Sequence, residues 1–188
     1  MTLILRSPNL MSVESIPLIG ALAVARSIND QLQIDSRVRW PNDVVVDGSK
    51  VAGSIAEARQ KGKSLDYILL GIGINANFES RELRDVRTDV TTLMELSRRT
   101  VDTTTLVCNV LLELEELLSL AESDPKQLLE LLRIRDYSTG MPVKVYTDNR
   151  VVTGVFVGYH SLEAAVVGSK GERVTVPASS AVLVEYLD

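Results

Sequence analysis

Residues 39–57 read Arg39-Trp40-Pro41-Asn42-Asp43-Val44-Val45-Val46-Asp47-Gly48-Ser49-Lys50-Val51-Ala52-Gly53-Ser54-Ile55-Ala56-Glu57, and the fold turns on how this stretch is read. Val38 to Trp40 alternates apolar with basic, which suits a strand edge. Pro41 fixes its own φ, removes a donor and keeps Trp40 extended. Asn42 and Asp43 have side chains that bond nearby backbone or reach a polar ligand. Residues 44–46 are β-branched, and Asp47-Gly48 is a two-residue hairpin signal, because such turns need positive φ. A second strand then opens at Lys50 and is interrupted by Gly53, where the missing side chain admits a ligand or another backbone. An ordinary antiparallel hairpin with a polar lead-in accounts for all of these features.

Working outward, residues 2–6 read as a strand and residues 16–32 as a helix, with Ser12 as its expected cap. That helix is apolar enough to be buried against a sheet. Residues 60–63 form a polar turn, and residues 65–75 are an apolar run ending at Asn75, read as a central strand. Residues 76–92 are polar and read as a mobile loop. Residues 103–122 are a long helix with a stripe of Leu106, Val107, Val110, Leu111, Leu114, Leu117 and Leu118, its glutamates forming a solvated face. Asp124-Pro125 starts a shorter helix to about Arg135. A boundary is expected between residues 136 and 137. Beyond it, five short β-branched runs separated by turns read as a small barrel. His160 is expected in one of those turns, at the surface.

The chain has 188 residues, with 20 basic and 25 acidic side chains and a formal charge of −5. An apolar fraction of 45% suits a packed core. The acidity argues against a nucleic-acid surface, and no run is long and apolar enough for a membrane span. One cysteine, Cys108, and one histidine, His160, cannot build a structural zinc site or an internal disulfide. Cys108 reads as a packing residue or a passive surface thiol, and a cytoplasmic location is expected.

Trp40-Pro41-Asn42-Asp43, followed seven residues after Asp43 by Lys50-Val51-Ala52-Gly53, resembles the central motif of biotin protein ligases. Gly71-Ile72-Gly73-Ile74-Asn75 resembles a second motif of that family, in the same order. Arg39 stands where the family usually has lysine. Asp89-Val90-Thr91-Thr92-Leu93 is a weaker likeness to a segment near the nucleotide and reads equally well as a helix N-cap by Thr91 or Thr92.

The resemblance implies an α+β fold: a mixed or antiparallel sheet with packed helices over residues 1–136, N-terminally incomplete, then an SH3-like barrel over residues 137–188. It implies ATP-dependent biotin–[acetyl-CoA-carboxylase] ligation. Biotin and ATP, with Mg²⁺, give biotinyl-5′-AMP, and biotin then passes to a lysine of a carboxyl carrier domain. Lys50 and Asp43 are the implied catalytic residues. Arg39, Asn42, Gly53, Gly71, Gly73 and Asn75 are the implied substrate and nucleotide contacts, and Asn42 and Asp43 the implied metal ligands. Each has a plainer reading: Lys50 as a solvated edge-strand lysine, the glycines as bulge or packing positions, Trp40 as a structural wedge under the turn.

The family's Ser-Thr-Asn segment and its Gly-Arg-Gly-Arg-type loop have no counterpart in this sequence. Alternative expectations are therefore a non-catalytic ligase-like binding protein, or half of a split ligase for biotin or lipoate. The implied partners are the carrier domain, a homodimer mate and a separate N-terminal ligase fragment, with no nucleic acid and no membrane.

Overall fold

The predicted hairpin forms. In the computed structural model, which describes residues 1–6, 12–62, 64–83, 89–169 and 171–187, Asp47 and Gly48 take φ of 47° and 80°. They turn β3 (Asp43–Val46) into β4 (Ser49–Lys61). With β1 (Thr2–Arg6), β2 (Arg37–Arg39) and β5 (Ser64–Ile74), these strands form a five-stranded sheet ordered β1-β5-β4-β3-β2. All four pairings are antiparallel. The apolar run ending at Asn75 is thus an interior strand, as expected.

One face of the sheet is covered by α1 (Ile16–Leu32). Gly20 allows the close approach: a Cβ there would stand 2.6 Å from Ser54 Oγ on β4. The other side of α1 is covered by α3 (Thr103–Ser123), so α1 is buried nearly all round. Its cap is not Ser12. Ser15 is the N-cap, makes no capping bond, and donates its hydroxyl to Ser12 O at 2.8 Å. A missing cap costs about 1 kcal/mol, whereas each fully buried Leu or Ile contributes roughly 1.5–3 kcal/mol. Burial of Ile16, Leu18, Ile19, Leu22 and Ile28 therefore holds this helix.

The apolar stripe of α3 is narrower than its sequence suggests. Leu106, Val110, Leu114 and Leu117 are buried, but Val107 and Leu111 are exposed. The helix packs on α1 and on α4 (Pro125–Ile134) and leaves its remaining face open.

The described part of the polar stretch 76–92 is held in place rather than loose. Asn77 exchanges two hydrogen bonds with the backbone of Val101, at 2.9 and 2.8 Å. Ser80 N donates to Glu95 Oε1 at 2.9 Å. Thr92 caps α2 (Leu93–Ser97) by accepting from Glu95 N at 3.2 Å. Residues 84–88 of that stretch lie outside the described residues, as do Lys63 and Lys170 of the expected turns.

All five C-terminal strands are present: β6 (Pro142–Thr147), β7 (Val151–Ser161), β8 (Ala164–Ser169), β9 (Glu172–Pro177) and β10 (Ala181–Tyr186). They are antiparallel in the order β10-β6-β7-β8-β9. The sheet is not closed into the expected barrel, because the outer strands β9 and β10 do not pair. His160 lies on β7, exposed, and not in a turn, because β7 continues to Ser161 through two register irregularities.

The two sheets share one core. Trp40 packs on Phe156 with ring centroids 5.9 Å apart, and Phe156 meets Tyr159 edge-on at 5.4 Å. Trp40 is buried, as its reading as a wedge requires. The open edge of β2 is covered by the chain just past α4: Val38 N donates to Arg135 O, and Tyr137 N to Val38 O, both at 2.8 Å. An uncovered edge strand would offer these groups to another chain.

Candidate functional site

Asp43 is directly opposite Gly53 across β3 and β4, so the two share a face of the sheet. Lys50 is three residues before Gly53 and in a regular strand would point the other way. A β-bulge intervenes: Val44 pairs with Ala52, but Val45 pairs with Lys50. The extra residue re-aims the lysine, and its ammonium forms an ion pair with Asp43 Oδ1. The lysine stem runs across Gly53, where an added Cβ would stand 3.1 Å from Cε and 3.3 Å from Asp43 Oδ1.

The backbone of Lys50 is pinned from outside the hairpin. Lys50 N donates to Asp89 O at 2.8 Å, and Lys50 O accepts from Thr91 N at 2.9 Å. Asn75 Nδ2 adds donations to Thr91 O at 3.1 Å and to Lys50 O at 3.4 Å. Asn75, expected as a nucleotide contact, therefore ties the second motif to the backbone of the lysine. Its amide nitrogen is committed to protein carbonyls, although the residue borders a cavity.

Gly71 and Gly73 pair with Ile55 and Gly53 respectively, which puts all four on the Lys50 face, opposite α1. Among the described residues, none but its chain neighbours comes within 4 Å of the place where a Cβ on Gly73 would be. These glycines floor a cavity of about 530 Å³ bordered by Asn42 and Lys50. On the other side of the lysine is a cavity of about 480 Å³, between the turn 39–43 and strand β10. Asn42 and Lys50 border both. Asn42 donates its Nδ2 to Ser54 O at 2.8 Å, which aims its Oδ1 away from that bond.

Arg39 is buried, and its guanidinium is spoken for. Nη2 donates to Asp43 Oδ2 at 3.1 Å and to Asp89 Oδ2 at 3.2 Å, and Nη1 to Gly48 O at 3.3 Å. Its charge also lies over the ring of Tyr186, 5.4 Å from the centroid. Asp43 thus carries two cations, one on each oxygen, and is largely buried. The residues expected as metal ligands are side by side, but this carboxylate is committed to cations and Asn42 offers a single amide oxygen. Among the described residues no three His, Cys, Asp or Glu come together to hold a metal ion. The donor set does not fit a metal held by the protein alone.

A closed hydrogen-bond ring fixes the turn to the C-terminal sheet. Trp40 N donates to Ser138 Oγ at 2.9 Å, Ser138 Oγ to the Tyr186 hydroxyl at 2.7 Å, and that hydroxyl to Trp40 O at 2.8 Å. Beside it, Asp136 accepts from the Tyr159 hydroxyl at 2.6 Å. Burial raises the pKa of both phenols, and the Asp136 charge pushes Tyr159 further up. Sequence reasoning assigned no role to Asp89, Ser138 or Tyr186. Their partners lie dozens of residues away, and no local motif signals them. Only the weak likeness over residues 89–93 pointed near Asp89. Among the described residues, no helix is long and apolar enough to cross a membrane.

Residues 3–75 match the biotin/lipoate A/B protein ligase family. The chain is 30% identical over 118 residues to the bifunctional ligase/repressor BirA of Bacillus spizizenii, spanning 62% of this chain and 36% of that protein. It is 30% identical over 131 residues to the biotin–[acetyl-CoA-carboxylase] ligase of Mycobacterium tuberculosis, spanning 68% of this chain and 46% of that protein. The match therefore spans less than half the length of either relative. Among solved structures, the biotin protein ligase of Aquifex aeolicus in complex with biotin and ATP superposes with a TM-score of 0.85 at 22% identity, covering 99% of this chain and 77% of that one. The apo structure from that organism gives 0.87 at 21% identity, covering 99% and 81%. A biotin protein ligase-like protein of unknown function from Silicibacter gives 0.74 at 13% identity, covering 95% and 77%. At these identities the structural likeness establishes the fold.

Proposed function

The chain belongs to the biotin protein ligase family, and on that premise we propose that it carries the reaction site of a biotin–protein ligase. In the first half-reaction the biotin carboxylate oxygen attacks the α-phosphorus of ATP, pyrophosphate leaves, and biotinyl-5′-AMP forms. In the second, the amine of a carrier-domain lysine attacks the acyl carbon, loses a proton, and AMP leaves.

The observation that carries this reading is the position of Lys50 between two cavities that both reach it and Asn42. Joining two anions requires a fixed cation at the point where they meet, in a site that needs no reorganisation. The bulge, Gly53 and Asp43 fix this one. In the proposed mechanism the glycine floor receives biotin, with the backbone of Gly53, Gly71 and Gly73 close enough to touch a flat ligand. The other cavity receives the nucleotide, with Arg39 and Asn42 toward its phosphates. Lys50 bridges the carboxylate and the α-phosphate. Once the adenylate has formed, Asp43 orients the incoming carrier lysine, as it already holds one ammonium group. Mg²⁺, if bound, would be held by the nucleotide phosphates with Asn42 and Asp43 nearby, and would supply charge neutralisation there, since hard cations favour oxygen ligands.

We read residues 1–136 as the catalytic unit and residues 137–188 as an SH3-like module. The pairing of the last strand, β10, with the first, β6, supports this reading.

Biotin-dependent ATP–pyrophosphate exchange on this chain tests the proposal. Exchange that requires biotin supports it. A folded protein that binds biotin and ATP but shows no exchange would favour a ligase-like binding protein instead. That second reading has its own support: Asp43 and Asp89 already match the charges of Arg39 and Lys50.

A further inference from the structure

Arg39 is held along its edge and across its face by different parts of the chain. Along the edge, Nη2 donates to Asp43 Oδ2 at 3.1 Å and to Asp89 Oδ2 at 3.2 Å, and Nη1 to Gly48 O at 3.3 Å. Such bonds tolerate a broad range of angles, so they fix the edge more closely than the tilt of the plane. Across the face lies the Tyr186 ring, its centroid 5.4 Å from Cζ. A flat cation over a flat ring is a favourable contact, and it sets that tilt.

The ring is itself anchored at its far end. Its hydroxyl bonds Ser138 Oγ at 2.7 Å and Trp40 O at 2.8 Å. Swinging out from under the arginine would break both bonds. Arg39 ends β2 of the first sheet and Tyr186 ends β10 of the second, and both residues border the 480 Å³ cavity.

We propose that the face of the Tyr186 ring is the platform that positions Arg39 for a nucleotide, so that the C-terminal sheet supplies a working part of the site. This rests on the reading of that cavity as a nucleotide site. A polyphosphate then meets a cation whose place and tilt are set before it arrives, and little binding free energy goes into ordering the arginine. Tyr186 touches no reacting atom; it is a positioning residue and acts through Arg39. Its two ends serve different purposes: the hydroxyl ties the sheets together, and the face orients the guanidinium.

Calorimetric titration of the full chain with ATP separates the two. Tyr186→Phe and Tyr186→Leu both lose the hydroxyl, and only the first keeps an aromatic face. Tyr186→Phe should bind ATP at least about fivefold tighter than Tyr186→Leu, the scale of one largely desolvated cation–ring contact. Tyr186→Met, flexible enough to fill the space left by the ring, should bind as weakly as Tyr186→Leu and replaces it in the comparison if that variant does not fold. A tyrosine that only shaped the cavity would also separate these variants, so Arg39→Gln is added to each. Without the guanidinium, the Tyr186 variants should bind ATP alike. Equal affinities of the aromatic and non-aromatic variants, or a difference that survives Arg39→Gln, would overturn the inference. If wild type binds no ATP, the nucleotide reading fails and the platform with it. If wild type binds ATP and the variants rank flat, the platform alone fails.

Discussion

The Nζ of Lys50 is 3.0 Å from where a Cβ on Gly53 would be. A methyl group there must push the end of the lysine aside, and a flexible side chain can yield. Gly53→Ala should therefore keep the stability of the fold within about 1 kcal/mol, since neither backbone nor core has to move. Displacing Lys50 from its place should lower biotin-dependent exchange by at least about tenfold, because positioning errors of an ångström carry large rate penalties. Thermal melting and exchange, measured together, check both halves.

Gly73→Ala separates floor from lysine. Among the described residues nothing crowds that position, so the variant should fold as well as wild type. The methyl would stand on the proposed ligand floor. Equilibrium binding of biotin should weaken by about tenfold, an ordinary penalty for crowding a shaped site. Unchanged biotin affinity would remove the glycine face from the site.

Replacing Lys50 with Met keeps the stem and deletes the charge. Asp43 retains Arg39 as a partner, so the expected stability loss is small, about 1 kcal/mol. Exchange should fall below detection. Comparable losses of folding and exchange would make the lysine structural rather than catalytic.

Tyr186→Phe removes the hydroxyl that closes the ring through Trp40 and Ser138. Leaving buried partners unmatched costs about 1–3 kcal/mol, readable as a lower denaturation midpoint. The wild-type phenol has a pKa raised above that of the unfolded chain by burial. Its neutral form is thus favoured by folding. The stabilisation is fully present below the ordinary tyrosine pKa of about 10 and declines as pH rises beyond it. Tyr159 adds a shift of the same sign. Unfolding free energy should therefore drop with alkaline pH, and Tyr186→Phe should flatten that slope by up to one proton.

Phe156→Ala empties the contact between the two sheets. A fully buried phenylalanine truncated to alanine costs about 3–5 kcal/mol. Because Trp40 packs directly on Phe156, its fluorescence should change in the native state. Fluorescence and circular dichroism should still report one unfolding transition, since the two sheets share a core. Two separate transitions would show that residues 137–188 fold on their own.

Local chemistry was readable in the chain itself. The Asp47-Gly48 turn, the helix at residues 16–32 and the strands at either end follow from positive-φ demand, apolar periodicity and β-branched runs. Those forces act between residues close in sequence. The same locality made the two motifs legible, and with them the family. What tertiary structure alone decided was orientation and partnership. A one-residue bulge, invisible in the composition of β4, put Lys50 on the face of Gly53 and Asp43. Val107 and Leu111 belong to the periodic stripe of α3 but stay exposed. Asn75 spends its amide on the backbone of Lys50, and Arg39 divides its charge between Asp43 and the distant Asp89. Tyr186 closes a ring on Trp40 from the far end of the chain. Nothing in the sequence pairs residues that far apart. Their meeting is set by how the sheets pack, because a hydrogen bond or ion pair depends on distances that only the assembled fold defines.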